Sequence, residues 1–208
     1  DITWVKKFLN SGKLVDVSGR FSDFLNVGDV VLVRKLYDQD GNFLRWSLRQ
    51  VSEVQGAFMA MDVNNGRIIA MQGGFSYESS VFNRATQAKR QPGSSFKPFV
   101  YASALDSGYS PATVVVDAPI EIDTPQGLWR PKNYNEKFYG PTPLRTGIEM
   151  SRNLMTIRLA REVGLNIIAN YAEKFGVYDD MQEFLANSLG SEETTLYRMV
   201  AAYAMFAN

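Results

Sequence analysis

The sequence predicts an α+β fold. Strand and hairpin patterns fill its first third, helical patterns dominate from Ser94 onward, and apolar and charged residues stand at 45% and 21%, an ordinary globular balance. Its 208 residues suit one or two domains. Residues 1–50 read as a small β-module. VGDVVLVRKLYDQDGNFLRWSLRQ sets β-branched and aromatic residues around an Asp40-Gly41 turn, which is a hairpin signal, and KLVDVSGRF before it alternates similarly. Trp4, Phe8, Phe21, Phe24, Phe43 and Trp46 can form a core for this module or a stacking surface for a ligand. So small a unit favours the core.

From Val54 the pattern restarts. VQGAFMAMDV, the turn Asn64-Asn65-Gly66 and RIIAMQGG form a second hairpin, whose near-continuous apolar character predicts cover on both faces. A polar loop, FSYESSVFNRATQAKRQPG, leads to the Pro92-Gly93 turn, where Ser94 stands at a helix start. Pro98 fits only a first helical turn, so it pins that start close to Ser94. Residues 109–143 are rich in Pro and Gly and read as long loops with brief strands such as TVVVDAPIEI. Helices resume at LRTGIEM, LMTIRLAREVG, NIIANYAEKFG and EETTLYRMVAAYAMFA. The chain opens abruptly at Asp1 and stops in an apolar helical run, so both ends read as cuts through a longer protein.

Composition excludes several chemistries. Histidine and cysteine are absent, so there is no imidazole base, thiol nucleophile, disulfide or Cys/His zinc site. Basic and acidic side chains balance at 22 each, which gives no field-driven attraction to nucleic acid or anionic lipid. The first 50 residues, with eight basic and six acidic side chains, are likewise too even for a nucleic-acid footprint. No apolar run reaches the ~20 residues of a membrane helix. Covalent chemistry here requires a serine whose proton is taken by lysine or a carboxylate.

Ser94 and Lys97 form the one S-x-x-K in the chain. Residues i and i+3 are neighbours on a helix face, so hydroxyl and amine stand one turn apart. The amides of a helix start favour developing negative charge there. Lysine acts as a base only when desolvation or neighbouring positive charge brings its pKa well below ~10.4. Phe96, Phe99, Val100 and Tyr101 provide apolar surroundings. A bare S-x-x-K arises roughly once by chance in a chain this long. Two features raise its weight: the turn-to-helix flank PGSSFKPF, and Ser151-Arg152-Asn153, the one S-x-N, between two predicted helices. A loop there can present a second hydroxyl and a carboxamide to the first pair. Taken alone, SRN reads as an N-cap of the following helix.

S-x-x-K followed by S-x-N resembles penicillin-binding proteins and serine β-lactamases. The blocks EVQGAFMAMDVNNGRIIAMQGG, FNRATQAKRQPGSSFKPFVYASAL, WRPKNY, LRTGIEMSRNLMTIRLAREVG and LANSLGSEETTLYRMVAAYAMFAN are similar, in order, to the transpeptidase domain of class A, 1A-type penicillin-binding proteins. The resemblance implies the transpeptidase fold, an antiparallel sheet packed with helices, over residues 51–208. It also implies part of an OB-like insert over residues 1–50. It implies D,D-transpeptidation of peptidoglycan stem peptides: Ser94 attacks D-Ala–D-Ala, Lys97 is the acylation base, Ser151 helps protonate the leaving amine, and Asn153 orients the substrate. β-Lactams would acylate Ser94. Neither cofactor nor metal is implied, nor a nucleic-acid partner. The implied place is the extracytoplasmic, periplasmic side of the bacterial inner membrane, with anchor and glycosyltransferase domain in segments absent from this chain.

One departure stands out. The family's third motif, K-T-G or K-S-G, is missing; Arg145-Thr146-Gly147 precedes the second motif and reads as helix-start sequence. Losing an oxyanion donor typically costs ~2.7–4 kcal/mol, which leaves open whether this chain acylates alone. Two rival readings remain. A class A β-lactamase would use a carboxylate for deacylation, and Glu183 with Asn187 echoes that element, although MQEFLANSLG reads better as a helix running into a Gly turn. A non-catalytic module would keep Ser94 only to bind β-lactam or peptide.

Overall fold

A computed structural model describes residues 6–8, 14–16, 22, 25–50, 54–125 and 127–208. The chain divides into two compact units, Asp1–Gln55 and Gly56–Asn208. In the first, β1 (Lys6–Phe8) pairs antiparallel with β2 (Leu14–Asp16), and β3 (Leu32–Tyr37) with β4 (Phe43–Arg49). The β3–β4 turn is the one the sequence marks: Gly41 takes φ +84°, and the Asp38 carboxylate accepts from the Asp40 and Asn42 amides. The core expected from the aromatics is not seen for Phe43 and Trp46, which are exposed and meet edge to face at 5.7 Å. Alternation along a two-stranded ribbon puts side chains on both faces, and these two lie on one that is open. Trp4, Phe21 and Phe24 lie outside the described residues.

The second unit opens with β5 (Phe58–Met61) and β6 (Ile68–Gln72), joined through the Asn64-Asn65-Gly66 turn. The Asp62 carboxylate accepts from the Asn64 amide at 2.9 Å, and Gly66 supplies φ +71°. Cover on both faces is not realised: every residue of β6 is exposed, while Met59 of β5 is buried. β7 (Lys89–Arg90) precedes a 3-10 turn, Gly93–Phe96, which runs into α1 (Lys97–Asp106). Ser94 therefore belongs to the 3-10 turn rather than to the α-helix. Pro98 sits in the helix's first turn, where its missing N–H is not needed.

The loop-rich stretch holds β8 (Val114–Asp117), β9 (Ile122–Thr124), β10 (Gly127–Trp129) and β11 (Gly140–Pro143), paired β8–β11 and β9–β10. α2 (Leu144–Glu149), α3 (Asn153–Val163) and α4 (Leu165–Lys174) follow. MQEFLANSLG forms a 3-10 turn, Leu185–Leu189, closed by left-handed Gly190. The last predicted helix begins later than expected. Thr194–Thr195 is a short strand, β12, on β7, and α5 spans Leu196–Ala207 with Thr195 accepting from the Arg198 amide. The six strand pairs among the described residues are all antiparallel, each a two-stranded sheet.

The core lies among α1, α3 and α4, with α5 closing one side. Phe99 is its hub, with ring centroids 5.3–5.9 Å from those of Phe96, Phe175, Tyr203 and Phe206. Such tilted and edge-on pairs add to the area they bury. This packing fixes α1, and with it Lys97, against α3.

Candidate active site

The structure brings Lys97, Ser151 and Asn153 together across more than fifty residues of sequence. Lys97 is 1% exposed. Its Nζ donates to the Ser151 carbonyl at 2.7 Å, to Ser151 Oγ at 3.0 Å and to Asn153 Oδ1 at 2.7 Å. An ammonium has three N–H donors, and these acceptors use all of them. Burial lowers the Lys97 pKa to about 8, since desolvation penalises the charged form.

The lysine has no hydrogen bond to Ser94, its expected partner. The i, i+3 spacing places the residues one turn apart, but the ammonium turns toward the richer acceptors of the SRN loop. The Ser94 side chain is exposed and makes no hydrogen bond among the described residues. Ser95 differs: its hydroxyl donates to the Pro92 carbonyl at 2.6 Å, and its own carbonyl accepts from Tyr203 Oη at 2.6 Å. Of the two adjacent serines, only Ser94 keeps its hydroxyl uncommitted.

Backbone geometry explains why SRN meets the lysine. The Ser151 amide donates to the Ile148 carbonyl at 3.1 Å and the Arg152 amide to the Gly147 carbonyl at 2.9 Å, so α2 ends in a Schellman motif. Ser151, not glycine, takes the left-handed position at φ +52°. That conformation costs a non-glycine residue about 1–3 kcal/mol and persists only where surroundings enforce it. The turn aims the Ser151 carbonyl and hydroxyl at Lys97. Gly147 allows the approach: a Cβ there would lie 2.8 Å from both Met155 Cε and Tyr101 Oη.

The N-cap reading of SRN does not hold. Arg152 occupies the cap position of α3 without a side-chain cap. The cap comes from Asn133, whose Oδ1 accepts from the Asn153 amide at 2.9 Å and the Leu154 amide at 3.3 Å. Asn133 Nδ2 donates to Asp117 Oδ1 at 2.7 Å, and Asn153 Nδ2 donates to the Lys132 carbonyl at 2.9 Å. Arg152 Nε lies 3.9 Å from Asp117 Oδ2, and its guanidinium stacks 3.5 Å above the Tyr139 ring. Nothing within WRPKNY singles out Asn133, because no spacing rule ties it to a helix twenty residues on.

Two glycines set the turn that carries Ser94. The Gly93 amide donates to the Gly190 carbonyl at 3.0 Å, and a Cβ on Gly190 would lie 2.2 Å from the Gly93 carbonyl oxygen. The Glu183–Asn187 echo of a deacylating pair dissolves here. Glu183 is exposed, whereas Asn187 is buried and committed to Gln182, Glu192 and Ser191.

A family model described as penicillin binding protein transpeptidase domain matches residues 56–208. Penicillin-binding protein 1A of Rickettsia bellii is 43% identical, with all of this chain and 25% of that protein covered. Penicillin-binding protein 1A of Vibrio cholerae is 40% identical, with 100% and 26% covered. The crystal structure of penicillin-binding protein 1A from Haemophilus influenzae superposes with a TM-score of 0.81 at 37% identity, covering 98% of this chain and 31% of that one. The chain thus spans about a quarter of the length of the curated relatives it matches.

Proposed function

Because the chain belongs to the penicillin-binding protein transpeptidase family, we propose that it carries the nucleophile and base of a serine D,D-transpeptidase that cross-links peptidoglycan stem peptides. The single observation that carries this reading is the buried Lys97 Nζ held by Ser151 and Asn153. Two of its acceptors, the Ser151 carbonyl and Asn153 Oδ1, cannot donate. When the amine loses a proton, its remaining N–H groups stay with those two oxygens. The lone pair is then left for a hydroxyl, that of Ser94 or of Ser151. Fixed acceptors thus orient the base before substrate arrives.

In this reading Ser94 Oγ attacks the carbonyl of the D-Ala–D-Ala bond as Lys97 takes its proton. The tetrahedral intermediate collapses and expels D-alanine, with Ser151 relaying a proton to the leaving amine. Asn153 orients the peptide. An amine of a neighbouring stem then attacks the acyl-serine and restores Ser94; water in its place gives carboxypeptidase hydrolysis. β-Lactams acylate the same oxygen. The third motif is supplied outside this chain, as are a glycosyltransferase activity and a membrane anchor, and the site works on the extracytoplasmic side of the inner membrane. A β-lactamase reading is not favoured, since Asn187 is spent on structural bonds and Glu183 is exposed.

Intact-mass measurement of the complete transpeptidase domain, third motif included, with benzylpenicillin tests the assignment. One adduct is expected on the parent and on Ser95→Ala, and none on Ser94→Ala. An equal adduct on Ser94→Ala would reject Ser94 as nucleophile.

A further inference from the structure

The second motif does not hold its own shape. Ser151 is in a left-handed conformation and Arg152 offers α3 no cap. The bonds that end α2 set Ser151, and a buried polar knot built from β8 and the loop between β10 and β11 supplies the missing cap and lines Arg152. Asp117, at the end of β8, is 0% exposed, and Asn133 is 3% exposed. One carboxylate oxygen accepts from Asn133 Nδ2 at 2.7 Å, and the other faces Arg152 Nε at 3.9 Å. The Asp117 carbonyl accepts from the Tyr139 amide at 3.1 Å, which brings the Tyr139 ring under the Arg152 guanidinium. Asn133 is further tied by Nδ2 to the Lys137 carbonyl at 2.9 Å.

A buried carboxylate is an expensive way to stabilise a core, and apolar residues of similar volume often serve stability as well or better. What a carboxylate adds is direction. One oxygen bonds the Asn133 that caps Asn153, and the other lies 3.9 Å from Arg152 Nε as an ion pair without a hydrogen bond. We propose that Asp117 is a positioning residue for acylation, acting through Asn133 and Arg152 to fix Ser151 and Asn153 as the acceptors that orient Lys97. The inference rests on the reading of Ser94 and Lys97 given above, and assigns a task to residues outside the three motifs.

The test is the second-order rate of labelling by a fluorescent penicillin, measured from pH 6 to 10 on the complete transpeptidase domain with its third motif. A parent that labels while Ser94→Ala does not establishes the underlying reading; a parent that never labels overturns that reading and the inference with it. Given a labelling parent, Asn133→Ala is expected to slow acylation by about 10- to 100-fold, as displaced catalytic groups do. It also moves the midpoint of the acid limb to lower pH, because an ammonium deprived of the Asn153 acceptor loses its proton more readily. Asp117→Asn, isosteric and still able to accept from Asn133, shifts both in the same direction by less. Tyr139→Leu, at a site 46% exposed and so tolerant of change, tests the Arg152 arm alone. Rates within twofold of the parent with an unmoved midpoint, in whichever of the three variants fold, would overturn the proposal. A lower melting temperature with an unmoved midpoint would do the same, since that marks a structural role only.

Discussion

Lys97 carries its charge where water scarcely reaches, and that has a consequence for stability. Its pKa falls from 10.5 to about 8 through burial. A base with a folded pKa below its unfolded one binds protons more tightly when unfolded, so the ammonium costs stability at pH below about 8. The cost is on the order of 3 kcal/mol, at about 1.36 kcal/mol per unit. It is withdrawn as pH rises from about 8 to 10.5. Lys97→Met removes the charge and leaves the Ser151 and Asn153 oxygens undonated, two effects of opposite sign and similar size. Its melting temperature at pH 7 is therefore expected within a few degrees of the parent's. Between pH 8 and 10.5 the parent should gain stability over the variant; a gap equal at pH 7 and pH 10 would contradict the buried ammonium. At this scale much of the site was legible, because a chain without His or Cys has few routes to a nucleophile. Choosing Ser94 over Ser95 by structure needed coordinates, since only geometry shows that the Ser95 hydroxyl is spent on Pro92.

Turns, more than helices, set the elements that matter. The Ser94 turn rests on Gly93, and Gly93 rests backbone to backbone on Gly190. At Gly190 a side chain meets two obstacles, φ +75° and a backbone oxygen 2.2 Å from the added Cβ. Gly190→Ala is expected to lose more than about 1 kcal/mol of stability and to slow acylation, because the displaced segment is the 3-10 turn bearing Ser94. Thermal unfolding and penicillin labelling check the pair; unchanged values for both would sink the claim that this contact sets the turn. The Asp40-Gly41 and Asn64-Asn65-Gly66 hairpins were readable because their turn chemistry is local. The β7–β12 pair was not, being two residues long and joined across a hundred positions. Apolar runs also misled: β6 is apolar by composition yet exposed throughout, since composition gives a strand's preference and not its neighbours.

Over the whole molecule, two compact units divide the chain, and the second carries every residue assigned to the site. No helix among the described residues is long and apolar enough to cross a membrane. The helical core around Phe99 holds α1 against α3, and this brings an S-x-x-K lysine to an S-x-N loop across some fifty residues. Order of motifs was visible in the sequence; their convergence depends on non-local packing that no window of residues encodes. The buried knot of Asp117, Asn133 and Arg152 is the same kind of feature, and it went unread for the same reason. The central claim is that this fold prepares Lys97 as the base for Ser94. The most direct test is the pH dependence of penicillin acylation by the complete transpeptidase domain, third motif included. The account predicts a rate that rises about tenfold per pH unit and levels off near pH 8, with the limb abolished in Lys97→Met. A profile flat from pH 6 to 10, or one retained in that variant, would contradict it.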